Sequence, residues 1–262
     1  MRTEATSDPI HKCHSSSEGP FSVRVRLLGG FRVWVGSHAV SEEAWHLRKA
    51  KSLVKLLALA RGHALHREQL MELLWPELGK RAATNNLRGS LHAARTALAS
   101  DPVAASGYLA SKEQRIALCP EVELWVDVET FEEAASAARR SREPAAYRAA
   151  IELYGGELLP EDRYEGWAEG RRGELRRTYL ALLVELAGTY EERAEYDSAI
   201  EVLQKVVAEE PTSEEAHVRL MRLHALLGRK AEALAQFVEL EETLLGSWEP
   251  NLPLRAVHLG RR

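Results

Sequence analysis

The chain has 262 residues, 45% of them hydrophobic, with a net charge of −4 and two cysteines. That length allows one to three domains, each able to bury a core. No apolar run approaches the ~20 residues of a membrane span, the N-terminus lacks the apolar stretch of a secretory signal, and Cys13 and Cys119 make no disulfide framework, so a cytoplasmic protein is expected.

The charge is unevenly placed. Residues 21–118 hold 15 Lys/Arg against 7 Asp/Glu, a net +8, whereas residues 119–262 hold 18 against 29, a net −11. Two domains with different tasks are expected, the basic one facing a polyanion.

In chain order, residues 1–20 read as a disordered tail rich in Ser, Pro, His and Gly. His11, Cys13 and His14 lie in it, but structural zinc takes four ligands, and no metal or cofactor is expected. "FSVRVRLLGGFRVWVGSHAV" alternates apolar and polar residues around Gly29-Gly30 and Gly36-Ser37, which predicts a small antiparallel sheet over 22–40. A helix follows, with Leu47, Ala50, Leu53, Val54, Leu57 and Ala60 on one face and Gly62 closing it. "HREQLMELLWPE" predicts a shorter helix stopped by Pro76. His63 and His66 stand at its start, as caps or exposed side chains. A third helix starts near Lys80-Arg81 or Thr84 and buries Leu87, Leu91, Ala94 and Leu98. "GYLASKEQRIAL" predicts a hairpin with a polar tip from Ser111 to Arg115.

Sheet, three helices and hairpin are the order of a winged helix-turn-helix. The third helix carries a second stripe of Arg81, Asn85, Arg88, His92 and Thr96, with no carboxylate. Arg can pair with guanine and Asn with adenine in the major groove, whereas an acid there would be repelled by phosphate. The expected DNA contacts are these five and Arg95, then Arg48, Lys49 and Lys51 on the first helix, and Lys112, Gln114 and Arg115 on the wing.

The second half is helical and repeats. "YDSAIEVLQKVVAEEP" aligns with "KAEALAQFVELEETLL" at a spacing of 34, matching Ala199 to Ala233, Ile200 to Leu234 and Leu203 to Phe237. That period with helix-turn-helix content is the tetratricopeptide signature, and such repeats present a concave protein-binding surface. A degenerate earlier copy contains Ala150-Ile151, followed by the insertion "GGELLPEDRYEGWAEG". Tyr164 and Trp167 in that insertion are expected to pack against the first half, and Trp34, Trp45, Trp75 and Trp125 to serve packing rather than base stacking. The fold expected is mainly α: tail 1–20, winged helix 21–119, tetratricopeptide-like domain 120–250 and tail 251–262.

"VRLLGGFRVWV", "LLWPE", "NNLRGSLHAARTAL", "IELYGGELLPEDRYEGWAE" and the stretch from "RRTYLALL" to "GRKAEAL" occur in this order. Together they resemble the SARP-type bacterial transcriptional activators, which join an OmpR-type winged helix to a bacterial transcriptional activator domain. The resemblance spans residues 22 to about 247. It implies activation of transcription through repeated promoter elements in double-stranded DNA, self-association on tandem repeats, and contact with RNA polymerase. The chain departs from the family pattern at Gly89 on the groove-facing stripe and in the short segment after Pro250. No phosphate-binding loop, nucleophile elbow or zinc-protease motif occurs, so no enzyme is expected. The competing reading is a protein-interaction module, or the N-terminal part of a larger regulator, whose winged helix does not read DNA.

Overall fold

The computed structural model describes residues 23–99 and 102–247. The tails expected at 1–20 and 251–262, with His11, Cys13 and His14, lie outside the described residues. The chain divides into two compact units between Glu129 and Thr130.

In the first unit, β1 (Val23–Arg26) pairs antiparallel with β2 (Arg32–Val35), which pairs with β3 (His38–Ala39). Gly29 and Gly30 turn the chain between β1 and β2 with φ of 76° and 131°, a backbone that side-chain-bearing residues resist. Alternation sends Val23, Val25 and Val33 inward, each at most 1% exposed. Trp45 covers the sheet's end, its ring 5.4 Å from that of Phe31.

Three helices follow: α1 (Arg48–Leu59), α2 (Arg67–Leu74) and α3 (Lys80–Leu98). α3 packs on α1 and α2, with Leu53, Val54 and Leu57 of α1 and Leu87, Leu91 and Ala94 of α3 all buried. Pro76 follows the end of α2 closely, as its missing N–H and locked φ require. His66 is a true N-cap: its ring accepts from the Glu68 N–H while the Gln69 side chain accepts from the His66 N–H.

The wing is larger than a hairpin. β5 (Leu109–Lys112) and β6 (Arg115–Leu118) pair antiparallel, and β4 (Ala64–His66) adds to the other edge of β6. A three-residue strand is too short for alternation to reveal. Tyr108, expected in the hairpin, ends a helix, α4 (Pro102–Tyr108), and its carbonyl accepts from the Cys119 N–H.

β7 (Leu124–Val126) joins β1 in parallel, so the first unit runs past the boundary expected at residue 119. Asp127 explains the join. Its buried carboxylate accepts from the N–H groups of Leu27, Leu28 and Val128, capping both the end of β1 and the start of α5 (Asp127–Ser141). Trp125 is 40% exposed and does not serve the core.

The second unit is helical: the rest of α5, then α6 (Pro144–Leu153), α7 (Gly166–Glu192), α8 (Tyr196–Glu209), α9 (Glu214–Leu226) and α10 (Lys230–Ser247). Sequential neighbours pack from α6 to α10, as the repeat requires. Leu182, Leu186 and Tyr190 of α7 and Leu220 of α9 are buried, and so are Ala199, Ile200 and Leu203 of α8, the positions that the period pairs with α10. The last repeat departs from this. Leu234 and Phe237 are 67% and 52% exposed, although their partners Ile200 and Leu203 are buried. In the insertion, the buried Arg172 donates to the carbonyls of Leu158, Leu159 and Asp162 and pins the loop from within. Tyr164 is 97% exposed. Trp167 is half-buried and donates to Glu165.

Candidate nucleic-acid interface

α3 has two faces because one must pack and the other need not. Ala83, Leu87, Ser90, Leu91, Ala94 and Leu98 are buried. Arg81, Asn85, Arg88, His92 and Thr96 are all exposed, and the helix from Lys80 to Leu98 contains no acid. The stripe therefore presents two guanidiniums, an amide and an imidazole to solvent. The Thr96 hydroxyl donates to the His92 carbonyl, which leaves its oxygen as an acceptor.

Gly89 lies on the same exposed face, and a Cβ built there would meet nothing within 4 Å. The protein's own packing does not require glycine at this position, although glycine in a helix interior costs about 1 kcal/mol relative to alanine.

Arg95 is placed differently from the expectation. Its side chain is half-buried, and Nε donates to the Leu109 carbonyl at 2.9 Å. It ties α3 to the first wing strand. At 100° per residue Arg95 lies about 40° from the buried Leu91, at the border of the packed stripe rather than on the exposed one.

On α1, Arg48 is exposed and Lys49 half-exposed. Lys51 pairs with Glu42, and this local ion pair offsets its charge. Lys55 is buried, with its ammonium 4.8 Å from the centre of the Phe31 ring, and is unavailable to a ligand.

The wing tip is a two-residue turn. Lys112 faces Arg115 across it, and Glu113 adopts a left-handed φ of 55°. Lys112, Gln114 and Arg115 are exposed as expected, but so is Glu113, which lowers the tip's net charge to +1. Arg115 also donates to the Ala64 carbonyl of β4. Arg67, which no sequence pattern singles out, donates to Ser111 from the start of α2, while its N–H donates to the Gln114 carbonyl. The first turn of α2 thereby fixes the wing. Asn86 is also exposed on α3, but lies about 100° from Asn85 and so falls outside the stripe.

Between α2 and α3, Lys80 pairs with Glu68 at 2.9 Å. This bond holds the Glu68 carboxyl below its ordinary pKa and raises that of Lys80. Behind the wing, burial pushes the Cys119 thiol up to about 12, so it is no nucleophile at neutral pH. Among the described residues no cluster of three His, Cys, Asp or Glu is placed to hold a metal ion, and no helix is long and apolar enough to cross a membrane.

The model of the bacterial transcriptional activator domain matches residues 126–259, more than half of the chain. The chain belongs to this family. The match begins at the last residue of β7 and takes in the whole helical unit, in accord with the resemblance to SARP-type activators drawn from the motifs. EmbR of Mycobacterium tuberculosis, solved in complex with a low-affinity phosphopeptide, shares the fold with a TM-score of 0.68 at 18% identity. The likeness covers 86% of this chain and 60% of EmbR, so it extends over both units while the present chain spans about three-fifths of EmbR's length. No curated protein matches the sequence.

Proposed function

We propose that this activator is a sequence-specific DNA-binding regulator of transcription in the bacterial cytoplasm. α3 enters the major groove, with Arg81, Asn85, Arg88 and His92 toward base edges and Thr96 at its flank. Lys112, Gln114 and Arg115 place the wing on phosphate or in the adjacent minor groove, and Arg48 and Lys49 add phosphate contacts. Arg95 supports the wing strand, and Lys51 contributes only through its pair with Glu42. The helical unit is the partner surface, with RNA polymerase as the partner and a second copy on an adjacent DNA repeat.

One observation carries this reading: a 19-residue helix whose solvent face carries cationic and amide side chains and no acid. A solvated face without a function ordinarily mixes charge signs, because i,i+4 pairs then stabilise the helix. The net +8 of residues 21–118 supports the same assignment.

The test is selection of duplexes from a random DNA pool by the full chain, followed by titration of the enriched site at two salt concentrations. A defined motif should emerge, and its affinity should fall steeply as salt rises, because each neutralised phosphate releases counterions. If no motif is enriched, the chain is an interaction module rather than a DNA reader.

A further inference from the structure

The wing tip carries an acid that its own fold does not require. Glu113 stands exposed at the apex of the β5–β6 hairpin, between Lys112 and Arg115. Its φ of 55° is left-handed, a conformation that glycine and asparagine adopt at less cost than glutamate. The turn therefore does not select this residue. Among the described residues no ion pair engages its carboxylate, although two cations flank it. A carboxylate at this point also weakens the attraction of the tip for phosphate.

The tip is held in place. The Arg67 N–H donates to the Gln114 carbonyl at 2.8 Å, and the Arg67 guanidinium donates to Ser111 on β5. Arg115 donates to the Ala64 carbonyl of β4. Lys112 and Arg115 are register partners, so they stand on opposite strands with Glu113 at the turn between them. The braced turn thus presents one acceptor-only group at a fixed point, with a cation on either side.

We infer that Glu113 reads a G·C pair in the minor groove. This rests on the DNA-reading function proposed above and commits the wing to the minor groove. The base edges there decide the chemistry. An A·T pair shows only acceptors, adenine N3 and thymine O2, in either orientation, whereas a G·C pair adds one donor, the guanine N2 amino group. An ionised carboxylate accepts and cannot donate. It therefore bonds that amino group and is repelled by an A·T pair. Lys112 and Arg115 meet the phosphates on the two sides of the groove, which offsets the cost of bringing an acid between them. A cation at the apex would give the opposite preference, because narrow A·T-rich grooves attract positive charge.

The test uses the full chain and the duplex it enriches from a random pool. Each guanine flanking the bases under α3 is replaced in turn by inosine, which removes the N2 amino group and leaves the major-groove edge unchanged. At one position this should weaken binding about tenfold, the cost of one lost base contact, and an A·T pair there should weaken it further. Glu113→Gly removes the side chain without straining the turn. It should bind all of these duplexes alike, and unenriched duplex several-fold more tightly than the parent chain does. Glu113→Gln keeps an acceptor and gains a donor, so it should tolerate A·T at that position. An enriched motif with no guanine in that flank, or binding indifferent to inosine at every one, would overturn the inference while leaving DNA reading intact. Full inosine sensitivity in Glu113→Gly would overturn it too, by assigning the contact to another residue. Failure to enrich any motif would remove the DNA-reading function itself, and this inference with it.

Discussion

Arg88 and Lys112 are both exposed cations, yet they are expected to act differently. Arg88 projects from the middle of α3 beside Asn85 and His92, where a guanidinium can bond two atoms of one guanine. Arg88→Ala should weaken the selected site by about 1–3 kcal/mol and relax preference at one base pair. Lys112→Ala should weaken all sequences alike and flatten the salt dependence. Titrations against matched and single-mismatch duplexes separate the two, and equal losses on every sequence would make Arg88 a phosphate contact. Gly89 supplies a sharper contrast. Because a Cβ there meets open space, Gly89→Ala should stabilise the free protein by about 1 kcal/mol. The same methyl should weaken DNA binding if the helix backbone approaches the duplex closely at this turn. Thermal unfolding and DNA titration of the one variant measure both effects, and an alanine that stabilises without weakening binding would remove Gly89 from the interface.

At the scale of elements, the first unit is closed by an interaction spanning 100 residues. Asp127 joins the end of β1 to the start of α5 through the Leu27, Leu28 and Val128 N–H groups. An amide in its place offers one acceptor oxygen and turns an NH₂ toward backbone donors. Asp127→Asn should therefore cost about 1–3 kcal/mol, the penalty of leaving a buried donor unmet, read as a lower urea midpoint with an unchanged slope. α3 is likewise fixed from two sides, by its apolar stripe on α1 and by Arg95 bonding the Leu109 carbonyl. The exposed face of α3 and the wing thus keep a defined geometry within the first unit.

For the whole molecule, the charge division sets the expected roles. The half bearing +8 attracts phosphate, and the half bearing −11 is repelled by it. In a reconstituted transcription assay at protein levels saturating the promoter, the full chain should activate, whereas a chain ending at Glu129 should bind DNA without activating. Equal activation by both would place the activating surface in the first unit.

The order of elements was legible in the sequence because periodicity reports burial directly. Alternation marked β1 and β2, the i, i+4, i+7 stripe marked α3, and the 34-residue period paired α8 with α10. The acid-free stripe was legible for the same reason, since opposite faces of one helix are fixed by 100° per residue. Other features depended on contacts between distant residues. β4 and β7 are three-residue strands that exist only because β6 and β1 offer them an edge. Asp127 reads as an ordinary helix-start acid until the end of β1 is set against it. Arg95 and Lys51 read as cations like their neighbours, and only the positions of Leu109 and Glu42 assign them structural partners. Leu234 and Phe237 carry the apolar character of their buried counterparts, but a side chain is buried only when another element covers it. Sequence alone determined which faces of this chain are apolar or basic, because that is a property of each residue and its spacing; tertiary structure decided which of those faces are covered, because burial requires a partner surface brought close by the rest of the fold.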